Sequence, residues 1–148
     1  LDHPHLVAGR RVVDFASGSG IVAVAAAKAG AAQVLAADID PFCGAALGLN
    51  AAVNGVACDF TDADLLDAAP PPADVILAGD ICYEKPLAQR VMDWLGQARR
   101  RGALVLIGDP GRSYFPRQGL DKLAEYQVPT TRELEDMEVK KTAVWALD

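Results

Sequence analysis

Residues Arg11 to Asp40, RVVDFASGSGIVAVAAAKAGAAQVLAADID, read as a strand, a glycine turn, a helix of small residues, a second strand and an acidic tip. Val12 and Val13 lie in a buried first strand spanning Arg10 to Ala16. Gly18-Ser19-Gly20 then lets the backbone turn sharply and approach a ligand with no Cβ in the way. The helix runs from Gly20 to Ala29 with Gly30 as its stop, and the second strand from Gln33 to Ala37. Asp38 falls about twenty residues after the glycines, where a carboxylate can accept both hydroxyls of a ribose. The stretch is the frame of a nucleoside-binding βαβ unit.

The glycines alone do not choose the nucleoside. Gly18-x-Gly20-x-x-Ala23 also satisfies the dinucleotide fingerprint, so an NAD(P)-dependent oxidoreductase is one reading. Asp14 argues against it, because a carboxylate at the tip of the first strand repels a pyrophosphate. The same carboxylate suits a cofactor with a cationic amino-acid end, and S-adenosylmethionine carries an ammonium and a sulfonium. Asp14-x-x-x-Gly18-x-Gly20 followed by Asp38 resembles motif I and the acidic loop of the class I methyltransferases. Ala16 stands where that family usually has glycine.

Outward from this unit, Asp40-Pro41 starts a helix, with Asp40 as N-cap, and Asn54-Gly55 ends it. Phe42, Ala45, Ala46, Leu49 and Val53 share one face, the expected buried one. A weaker strand covers Val56 to Phe60. In the acidic run that follows, Asp64 is the candidate for an adenine amino group. Pro70-Pro71-Pro72 spaces out the next strand, Ala73 to Gly79, whose apolar run suits the centre of a parallel sheet. Pro86 opens a helix with Leu87, Val91, Leu95 and Ala98 inward, and Ala103 to Gly108 is another buried strand. A short helix near Gln118 to Glu125, a strand near Tyr126 to Val128 and a last strand from Lys140 to Leu147 complete the chain. This alternation demands an α/β, Rossmann-like sheet, mostly parallel, with helices on both faces and an antiparallel hairpin at the carboxyl end.

The 148 residues are 51% apolar and 23% charged, enough for one domain with a core of its own. The net charge of −6 disfavours nonspecific contact with nucleic acid, and Arg99-Arg100-Arg101 reads as a solvated helix end. No apolar run is long enough to span a membrane. Cys43, Cys58 and Cys82 form no paired motif, which points to reduced thiols in an intracellular compartment. His3 and His5 have no third ligand beside them, so no metal site is expected.

Ligands of open α/β sheets bind outside the carboxyl ends of the strands, which brings Asp80 into play with Asp14 and Asp38. Asp80-Ile81-Cys82-Tyr83 leaves the fourth strand directly, setting a carboxylate, a thiol and a phenol beside the methyl-donor position. Asp80 as N-cap of the following helix is the competing reading. Methyl transfer to nitrogen needs a lone pair in line with the sulfonium, so alignment dominates, and a lysine with a pKa of about 10.4 must arrive neutral. A nucleic-acid amino-methyltransferase would want prolines after Asp80, and the chain has none there.

Together DFASGSG, AADIDP, DVILAGDICYE, GDPGR (Gly108 to Arg112) and AVWAL resemble the lysine methyltransferases of the electron-transfer flavoprotein β subunit, within a broader nicotinamide N-methyltransferase-like set. The resemblance covers nearly the whole chain. It implies a protein-lysine methyltransferase that uses S-adenosylmethionine and leaves S-adenosylhomocysteine. Asp80 and Tyr83 match the substrate-side D-x-x-Y motif, and Asp14, Ala16, Gly18, Gly20, Asp38, Ile39, Asp64 and Gly79 fall on the cofactor side. Methylation of a small nicotinamide-like amine is the alternative within the same chemistry, and a noncatalytic binding module the alternative outside it. That family carries an aromatic-rich segment ahead of the first strand. Residues 1–148 are therefore expected to be one methyltransferase domain without that segment.

Overall fold

In the computed structural model, which describes residues 2–129 and 139–148, seven strands form one sheet in the order β3-β2-β1-β4-β5-β7-β6. The strands are β1 (Arg11–Phe15), β2 (Gln33–Ala37), β3 (Asp59–Thr61), β4 (Val75–Gly79), β5 (Leu104–Asp109), β6 (Leu120–Pro129) and β7 (Val139–Leu147). The helices are α1 (Ile21–Lys28), α2 (Pro41–Asn54) and α3 (Lys85–Arg100). The first five strands run parallel, and β7 pairs antiparallel with both β5 and β6. The order reverses between β1 and β4, which pair directly, and so opens a crevice at their carboxyl ends.

Alternation along the strands divides the core between two faces. Val12, Val34, Ala36 and Val75 pack with Ala23, Val24 and Ala26 of α1 and Leu47 and Ala51 of α2. Val13, Phe15, Ile76, Ala78, Val105 and Ile107 pack with Val91, Trp94, Leu95 and Ala98 of α3 on the other side. Arg11, at the start of β1, is tied to Asp74, ahead of β4, by its backbone amide at 2.8 Å and its guanidinium at 2.9 Å.

Three expectations change. The apolar face of α2 expected in the core points outward: Phe42, Leu49 and Val53 are exposed, Val53 by 89%. The helix buries Leu47 and Ala51 instead. Gly44 presses on β3 so closely that a Cβ there would lie 2.7 Å from the Phe60 ring. Small residues let the helix sit down on the sheet, and that closeness outweighs the larger side chains of the opposite face. Second, no helix forms near Gln118 to Glu125, because that segment is the first half of β6, paired with β7 from Leu120↔Leu147 to Pro129↔Val139. A register shift between Lys122 and Ala124 breaks the alternation that would have marked it as a strand. Third, the strand expected at Val56 to Phe60 is displaced to Asp59–Thr61.

Candidate cofactor and acceptor site

Gly20 has φ of 79°, and a Cβ on it would lie 2.2 Å from Leu47 Cδ1, so both backbone and packing require glycine. Asn50 of α2 donates from Nδ2 to the Ser19 carbonyl at 2.9 Å and holds the turn from behind. Gly18, with φ of 52°, faces open space: a Cβ there would meet nothing within 4 Å. Its amide donates to Asp38 Oδ2 at 2.8 Å, while Asp38 Oδ1 accepts from the Asp40 amide at 3.1 Å. The carboxylate is therefore held in place at the tip of β2.

Asp14 lies behind this turn rather than on its open side. It is 1% exposed, and its Oδ2 accepts from the Ala23 amide of α1 at 2.8 Å. Burial pushes its carboxyl up to about 7, against the lowering by the Ala23 amide and with a further push from Asp38. Direct contact between Asp14 and a ligand is replaced by an indirect role, joining β1 to the first turn of α1.

Ala16, Asp38, Ile39, Asp64 and Tyr83 line one cavity of about 310 Å³. Its remaining walls include Phe15, Leu65, Leu66, Leu87 and Arg90, which were not read from the sequence. Asp64 caps a turn, its Oδ1 accepting from the Leu66 amide at 2.9 Å, and its Oδ2 lies 3.5 Å from Arg90. Gly79 lines a different hollow, on the α1 side of the sheet, with Val22 and Leu106.

The loop after β4 sorts its side chains by direction. Tyr83 is 55% exposed at the cavity, whereas Cys82 is fully buried and packs into the α3 core. Burial, with Asp109 and Asp80 adding, pushes the Cys82 thiol up to about 11, so the thiol expected beside the methyl donor belongs to the core. Asp80 does not cap α3, whose N-cap is Glu84. Its amide donates to the Gly108 carbonyl at 2.8 Å. Its carboxylate accepts from Arg112 Nε and Nη2, each at 2.6 Å. Arg112, unassigned in the sequence reading, was visible only as the end of GDPGR.

A parallel sheet reversed between β1 and β4, with an antiparallel β7 beside β5, is the Rossmann-like sheet of the class I methyltransferase fold. The family described as ribosomal protein L11 methyltransferase (PrmA) matches residues 3–106, and the chain belongs to it. It is also 38% identical to the electron transfer flavoprotein beta subunit lysine methyltransferase of Xenopus laevis, over 100% of this chain and 63% of that protein. The mouse counterpart is 38% identical over 98% of this chain and 59% of its own length, so the chain spans about three fifths of these relatives. Among solved structures, the ribosomal protein L11 methylase of Lactobacillus delbrueckii superposes with a TM-score of 0.62 at 22% identity, covering 96% of this chain and 72% of that one.

Proposed function

We propose that this protein is an S-adenosylmethionine-dependent protein-lysine methyltransferase acting on the electron-transfer flavoprotein β subunit. One observation carries the reading: a single cavity joins ribose- and adenine-side carboxylates, Asp38 and Asp64, to the phenol of Tyr83, with Asp80 at the next strand tip. The family membership and the Xenopus relative support the choice of chemistry and acceptor.

The residues present fit the cofactor. Gly18 leaves its side-chain space open, Ser17 Oγ in the same turn is a buried hydroxyl without a partner among the described residues, and Phe15, Ile39 and Leu65 offer apolar surface for an adenine. Asp38 would hold the ribose, Asp64 the adenine edge, and Ala16 and Gly18 the backbone cradle. When bound, S-adenosylmethionine supplies a methyl group on a sulfonium that leaves as a neutral thioether. Asp80 and Tyr83 would orient the lysine amine, its proton passing to water, and alignment supplies the larger share of the rate. The working compartment follows the acceptor: the mitochondrial matrix in a eukaryote, the cytoplasm in a bacterium.

The test incubates the protein and S-adenosylmethionine with the β subunit and, separately, with ribosomal protein L11 and nicotinamide. Peptide mapping by mass spectrometry should place methyl groups on lysines of the β subunit. Methylation of nicotinamide alone would replace the protein acceptor with a small one.

A further inference from the structure

Asp80 leaves β4 and Asp109 ends β5 at the same edge of the crevice, because Gly79 and Gly108 are paired in register. Asp109 is 3% exposed, and its Oδ1 accepts from the amides of Gly111 at 2.7 Å and Arg112 at 3.0 Å. Gly111, with φ of 92°, completes the reversal. The turn so fixed delivers Arg112 to Asp80 with both oxygens engaged by one guanidinium, a planar fork that sets the plane of the carboxylate. The two side chains remain 39% and 46% exposed, within reach of an incoming substrate.

We propose that Arg112 is a positioning residue for the acceptor: by holding Asp80 in a two-bond fork, it weakens the pull of that carboxylate on a lysine ammonium and lets the amine arrive neutral. This rests on the placing of Asp80 on the acceptor side. A lone carboxylate close to a lysine favours its charged form and can move its titration by about one to three pH units. A carboxylate already neutralised by a guanidinium has little net charge to offer, yet keeps lone pairs that can accept one N–H of a neutral amine. Other titratable groups stand beside Asp80 among the described residues. Asp109, from the end of β5, spends Oδ1 on the turn, Cys82 on the Asp80 loop is a buried thiol, and Tyr83 on the same loop is a phenol at the cavity.

The experiment compares the enzyme with its Arg112→Gln and Arg112→Lys variants. Calorimetric binding of S-adenosylhomocysteine should be unchanged within about twofold, since Arg112 lies outside the cofactor cavity, and circular dichroism should show each variant folded at the assay temperature. In Arg112→Gln the acidic limb of the kcat/KM profile on the β subunit should move up by about one unit, with kcat near pH 7 down about tenfold and recovering in alkali. At the same pH the β subunit, in the presence of S-adenosylhomocysteine, should bind severalfold more tightly. Arg112→Lys should restore most of the wild-type profile. Loss of rate in Arg112→Gln with an unmoved midpoint and no gain in binding would show that Arg112 merely props the turn. A wild-type enzyme that methylates no lysine defeats the functional reading and this assignment with it. An active wild type whose Arg112→Gln variant keeps its midpoint defeats this assignment alone.

Discussion

Ala16 and Asp80 are the two non-glycine residues among those described whose φ falls in the left-handed region, at 55° and 54°. Each follows the end of one of the two paired strands at the topological switch, β1 and β4. Such a backbone costs about 1–3 kcal/mol per residue and persists where surrounding contacts over-determine it. Here those contacts are the bonds of Asp38 to the glycine turn and of Asp80 to Arg112. Asp38→Ala removes the proposed ribose acceptor and frees the Gly18 amide together, so affinity for S-adenosylhomocysteine should fall by about 1–3 kcal/mol in a calorimetric titration. Unchanged affinity would place the ribose elsewhere. Asp14 makes a separate prediction. The folded chain keeps its proton up to about pH 7, while the unfolded carboxyl loses it near 3.8. This contribution to stability is thus full at low pH and is lost as pH rises toward 7. Asp14→Asn retains an oxygen for the Ala23 amide but cannot ionise. Urea unfolding should show the variant gaining on wild type by about 2 kcal/mol between pH 5 and 8, where a constant difference would mean that Asp14 does not titrate there.

At the level of the elements, the ends of α2 are legible in the sequence and its orientation is not. Asp40 accepts from the Phe42 amide at 2.9 Å and Gly55 takes φ of 65°, as their residue types demand. Which face goes inward depends on how near β3 lies, and one helix's periodicity does not contain that distance. Gly44 and Gly48 separate the two effects. Gly48→Ala meets nothing within 4 Å and should stabilise the chain by about 0.5–1 kcal/mol through helix propensity. Gly44→Ala drives a Cβ into Phe60 and should destabilise it by about 1–3 kcal/mol. Equal effects in a denaturant titration would show that α2 can lift off the sheet. The site divides in the same way. Carboxylates at strand tips announce themselves by following apolar runs, as Asp38 and Asp80 do. The fork between Asp80 and Arg112 joins residues 32 apart and follows only from the pairing of β4 with β5.

For the whole molecule, the strand order decides where a ligand can bind, and the charges at that place decide which ligand. Asp38 and Asp64 at one cavity suit a nucleoside that brings no pyrophosphate. S-adenosylhomocysteine at about 100 times its Kd should therefore stabilise the chain by about 2.7 kcal/mol, roughly 5–10 °C in Tm, while NAD at equal concentration leaves Tm in place. A matching rise with NAD would reverse the choice of cofactor. At the far end of the sheet, among the described residues, β6 pairs with β7 and has no further strand on its other side. An edge strand of ten residues is in principle a template on which a second chain could add a strand and begin to aggregate. The register shift at Leu123 puts the edge out of step, Lys122 and Glu125 set charges along it, and Pro129 withholds a donor near its end. The irregularity that hid this strand from sequence patterning also denies a neighbouring molecule a straight edge to join.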